Sequence, residues 1–103
     1  MSLLHDNLRQ MFLSERPKFD PRSLVRLDEK EKMIIFRGSN FMFGHLNVTA
    51  TKIFCMCNGR NSVADIFVML KNTYPDQDGE NLLFDLVMTL RKLRGRRLLL
   101  PTT

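Results

Sequence analysis

The sequence predicts an α+β domain of winged-helix type: a three-stranded antiparallel sheet followed by three helices, with a short N-terminal helix in front. Three observations predict it. Residues 24–46 hold three short apolar runs divided by turn residues, without helical period. From residue 47 onward apolar side chains recur every three or four positions. That second half is interrupted at Asn58-Gly59 and again at Pro75, which divides it into three helices.

The N-terminal helix is expected over 1–16, where Leu4, Leu8, Met11 and Phe12 share one face. Pro17 and Pro21 end the pattern, so 1–16 reads as an extension and 17–103 as the domain. Leu24–Leu27 is the first strand, Asp28–Glu31 a charged turn, Met33–Phe36 the second strand and Gly38–Asn40 a second turn. The third strand runs from Phe41 through Met42, Phe43, Gly44 and His45 to Leu46. If Met42, Gly44 and Leu46 face the core, then Phe41, Phe43 and His45 face outward. Such a strand is either covered on both faces or awaits a partner, and Gly44 marks a bulge or a close backbone approach.

Asn47 suits an N-cap, and Ala50, Ile53, Phe54 and Cys57 then line one side of the first domain helix. Gly59 suits a left-handed stop. Ser62 with Asp65 resembles a capping box for the second helix, whose apolar face is Val63, Ile66, Phe67, Leu70 and Tyr74. The third helix runs from about Glu80 to Arg94 with Leu82, Leu83, Leu86, Val87, Leu90 and Leu93 facing the core. Phe84, Met88 and Arg91 make a separate stripe that adjoins Lys92, Arg94, Arg96 and Arg97. Leu98-Leu99-Leu100 reads as a short strand or a tail packed on the sheet.

A chain of 103 residues fills one domain and buries enough for one core without staples. No stretch approaches the ~20 apolar residues of a membrane span. No charged-then-apolar export signal opens the sequence and there are two cysteines, so a reducing, cytoplasmic location is expected. The residues argue against an enzyme and against a metal or other cofactor. Two His and two Cys are too few for a usual metal site, and Cys55 and Cys57 point to different sides of a helix. No phosphate-binding glycine loop or nucleophile elbow is present. The net charge of +5 fits nucleic acid, an acidic peptide or solubility alone.

Four stretches carry a resemblance. Leu46-Asn47-Val48-Thr49-Ala50-Thr51-Lys52-Ile53, Cys57-Asn58-Gly59-Arg60-Asn61-Ser62-Val63-Ala64-Asp65-Ile66, Leu70 to Tyr74-Pro75, and Leu86, Leu90, Leu93 leading to Leu98-Leu99 occur in that order. Together they resemble the PqqD family, the pyrroloquinoline quinone biosynthesis protein D family, over residues 22–100. That domain is also the precursor-peptide recognition element of ribosomal peptide modification pathways. The chain departs from the family at Arg97, where a Gly usually stands, and in its strongly basic helix end.

The resemblance implies a non-catalytic peptide-binding adaptor. Its members bind the leader of a precursor peptide as an added strand on the third strand and against the third helix. They present it to a modifying enzyme such as a radical SAM protein. Carried over, the peptide-binding residues are Phe41, Met42, Phe43, Gly44, His45, Phe84, Met88, Arg91 and Lys92. The competing reading is a winged-helix DNA-binding protein. Against it, the third helix carries Leu, Phe and Met where a reading helix needs Asn, Gln or Arg. A homodimer is compatible with the same pattern.

Overall fold

The computed structural model describes residues 10–101. Three strands, β1 (Leu24–Asp28), β2 (Met33–Arg37) and β3 (Phe43–His45), form an antiparallel sheet in the order β1-β2-β3. Three helices follow: α1 (Val48–Met56), α2 (Val63–Thr73) and α3 (Gly79–Gly95). The α+β order of sheet then helix trio is the one expected. Residues 10–14 are helical, so the N-terminal helix is present, although Leu4 and Leu8 lie outside the described residues. Its expected face is only partly right. Phe12 packs against the core together with Leu13, whereas Met11 is exposed.

The core lies between one face of the sheet and the helices. Ile34 and Phe36 from β2 meet Ala50, Ile53 and Phe54 of α1, Val63, Ile66 and Leu70 of α2, and Leu86, Leu90 and Leu93 of α3. Leu83 and Val87, expected on the same α3 face, are half-buried at its margins. Each helix starts where a side chain can satisfy an orphan first-turn N–H. Asn47 accepts from Ala50 N and Asp78 from Asn81 N. Ser62 and Asp65 form the full reciprocal box, with bonds of 3.1 and 2.9 Å. Gly59 takes the left-handed conformation expected of it, at φ 80°.

The third strand is shorter than expected. Phe41 has φ 67° and belongs to a turn in which Gly38 N donates to Met42 O and Phe41 N to Gly38 O. Met42 N is taken by the Asn40 side chain. Met42 is therefore turned out with 53% of its surface exposed, not directed at the core. The C-terminal leucines do not lie on the sheet either. Leu99 bridges Phe19, Asp20 N donates to Leu98 O at 2.8 Å, and Leu100 N donates to Lys18 O at 2.9 Å. The segment between the prolines is thus a scaffold that also bridges Asn58 through Lys18.

Candidate functional site

Among the described residues one edge of the sheet is open at β3, and the hydrogen-bond phase tells which groups it offers. Leu46 N donates to Ile34 O and Gly38 N to Met42 O, and Phe36 lies opposite Gly44. In an antiparallel ladder alternate residues bond to the same neighbour. Residues 42, 44 and 46 therefore face β2. The N–H and C=O groups of Phe43 and His45 face away from it, toward the edge. Their side chains point to the outer face of the sheet, with Phe43 73% exposed.

Gly44 makes a close approach. Its inner face is covered by the Phe36 ring, and a Cβ there would lie 2.6 Å from Phe36 Cζ. A side chain at 44 would push that ring into the core or lift the strand. The turn before β3 is held just as tightly at the other side of the sheet's end. Gly38 sits against the Arg96 carbonyl with no room for a Cβ, and Ser39 N donates to Arg97 O. The start of β3 and the end of α3 thus share one corner.

Phe41 is the residue at this corner that the backbone least favours. A bulky side chain at positive φ is strained, yet Phe41 is 70% exposed and is held by the Arg37 guanidinium 5.1 Å above its ring. Along α3, Phe84 and Met88 are exposed, and so are Arg91 and Lys92. These four lie off the Leu82, Leu86, Leu90 and Leu93 seam that binds α3 to the core. The sequence-derived residues thus form two groups, one at the β3 edge and its turn, the other along α3. Unpaired backbone groups beside exposed apolar side chains can hold an extended polypeptide.

The basic cluster is not uniform. Arg94 donates to Glu15 at 3.0 Å, which ties α3 to the N-terminal segment, and both side chains are largely covered. Arg91, Lys92, Arg96 and Arg97 stay exposed. Burial pushes the Cys57 thiol up to about 12, and its Sγ–H points at Ile53 O, while Cys55 is exposed. Among the described residues no cluster of His, Cys, Asp or Glu could hold a metal ion. None of their helices is long and apolar enough to cross a membrane.

Two polar residues with structural roles had no clear sequence signal. Thr51 is buried beside the sheet, and Asp20 is buried under Arg22, which grips its carboxylate with Nε at 3.0 Å and Nη2 at 2.8 Å. The arginine's hydrogen bonds, first from the side chain and then from the backbone, hold the Asp20 carboxyl down to about 2. An Asx pattern after Pro17 could have hinted at Asp20. Nothing in the helical period marks Thr51.

Comparison with known proteins places the chain. The family model "Coenzyme PQQ synthesis protein D (PqqD)" matches residues 24–99. No curated protein matches the chain in sequence. A solved structure, TbiB1 in complex with the TbiA(beta) leader peptide, superposes with a TM-score of 0.71 at 15% identity. The match covers 84% of this chain and 98% of the other, and shares its fold.

Proposed function

The chain belongs to the PqqD family, and from that premise we propose that it is a non-catalytic adaptor that binds the leader of a precursor peptide by strand addition and presents it to a modifying enzyme such as a radical SAM protein. The observation that carries this reading is the phase of the β3 ladder, which turns the backbone of Phe43 and His45 toward an edge that no other described residue pairs. A leader running antiparallel to β3 makes up to four main-chain bonds with these two residues. At about 0.5–1.5 kcal/mol net each, they fall short of the ~8 kcal/mol that micromolar binding requires. Apolar leader residues buried on Phe84 and Met88 supply the difference. Phe41, Met42 and Gly44 shape the entry of the strand, and Arg91 and Lys92 favour acidic leaders and speed encounter. The TbiB1 structure, which has the same fold and is described as a leader-peptide complex, supports this reading.

The exposed Phe84 and Met88 count against duplex DNA, since they stand where a reading helix needs donors, and the basic residues crowd the C-terminal end of α3 instead. The test is titration of the labelled protein with its cognate precursor peptide. Amide shifts centred on residues 41–46 and 83–92 are expected. Shifts confined to other regions would sink the assignment.

A further inference from the structure

A second place on the molecule has the features of a ligand site and lies outside the peptide edge. Where α3 ends, Arg97 N donates to Arg94 O and Leu98 N to Leu93 O. This is a Schellman motif, with Leu93 and Leu98 both buried in the core, and it puts Arg97 at the left-handed position where glycine is preferred. Arg97 does adopt φ 58°. A long side chain kept in that conformation at a cost in stability is a sign that the side chain is used.

Its surroundings suggest the use. Arg97 lines a cavity of about 260 Å³ together with Asp20, Arg22, Arg94, Leu99 and Pro101. Two of the three guanidiniums are engaged, Arg22 by Asp20 and Arg94 by Glu15. Arg97 has no carboxylate partner among the described residues, and the buried Arg94 Nε–H has no acceptor there. Three guanidiniums against two carboxylates leave one positive charge. That balance suits a monoanion, and the planar fork of arginine matches a carboxylate.

We propose that Arg97, with Arg22 and Arg94, forms a binding site for one carboxylate from an acidic side chain of a bound polypeptide. That the carboxylate belongs to a polypeptide rests on the proposed function, whereas the anion site itself needs no leader on β3 and is tested separately by acetate. Arginine Nε–Hε resonances of the full chain report on it. Sodium acetate should shift the Arg97 and Arg94 signals saturably, and equal sodium chloride should not. Acetyl-Gly-Glu-Gly-amide should reproduce the shift and its Gln counterpart should not. In Arg97→Gly the response should vanish while the unfolding temperature stays the same or rises, because the glycine relieves the left-handed position. Arg97→Asn, which also tolerates that conformation, serves if the glycine variant does not fold.

An unshifted Arg97 signal in acetate, or an undiminished response in both variants, overturns the proposal. A response to acetate but not to the glutamyl peptide overturns the side-chain source. Saturation by phosphate dianion at one-tenth the acetate concentration overturns the choice of a carboxylate.

Discussion

The hydroxyl of Thr51 is inserted into the sheet: its Oγ1 accepts from Ile34 N at 3.0 Å and donates to Leu46 O at 3.4 Å. Leu46 N still donates to Ile34 O, so this pair makes one direct ladder bond and one through the hydroxyl. The substitution of a side chain for a backbone bond is why β3 stops at His45 and why α1 turns away at once. Thr51→Val keeps the shape but leaves a buried N–H and C=O without partners, which costs about 1–3 kcal/mol for each group. Thr51→Ser keeps the relay and should lose less. Urea unfolding of the two variants checks the order.

Asp20 makes stability depend on acid. Its carboxyl is held near 2, mainly by the hydrogen bonds of Arg22, against an ordinary value of 3.8. A group with a depressed folded value contributes fully above the unfolded value, and the contribution is lost as pH falls through the folded one. The unfolding temperature of the wild type should therefore drop between about pH 4 and pH 2 more steeply than that of Asp20→Asn. Parallel curves would show that the Asp20–Arg22 pair contributes nothing.

The two thiols should separate cleanly. Cys57 is buried and its pKa raised to about 12, so it stays protonated near neutrality, whereas Cys55 is exposed. Reaction needs an accessible thiolate. Iodoacetamide at pH 8 should label Cys55 alone in the native protein and both cysteines in denaturant, as read by mass spectrometry of the peptides.

How far these features could be read in advance depended on whether they are local. Helix starts at Asn47 and Ser62 and the α1 stripe were legible because a cap or a 3.6-residue period lies within a few residues of itself. The β3 boundaries were not. They depend on Thr51 reaching back to Ile34 and on Asn40 taking the Met42 amide, contacts that no alternation pattern encodes. The third strand's apolar run was visible, but only the ladder phase tells that Phe43 and His45 offer their backbone outward. Arg97 was visible as a departure from a family pattern. Its left-handed backbone came only with the helix end, because Gly95, the nearest glycine, sits inside the last turn of α3 and not after it.

That misplaced glycine gives a stabilising change. Gly95 is helical and exposed, and a Cβ there would meet nothing within 4 Å. Gly95→Ala should add about 0.5–1 kcal/mol, because alanine loses less backbone freedom on folding. Thermal or urea unfolding measures it, and a loss of stability would mean that the last turn is not helical in solution.

Proline at position 45 separates the two sides of β3. The ladder phase turns the His45 N–H away from β2, so His45→Pro removes no bond within the sheet. The same replacement at Gly44 would delete a bond to Phe36 and press a ring onto its side chain. His45→Pro should therefore keep most of the protein's stability, while the ring and the missing donor block an added strand. A loss of about 2 kcal/mol in peptide binding is expected, close to a thirtyfold rise in Kd. Phe84→Asp should weaken the same peptide by a similar factor by removing its apolar seat on α3, without touching β3. Calorimetry with the precursor peptide reads both. If His45→Pro binds as tightly as the wild type while Phe84→Asp does not, the peptide lies on α3 alone and strand addition is wrong.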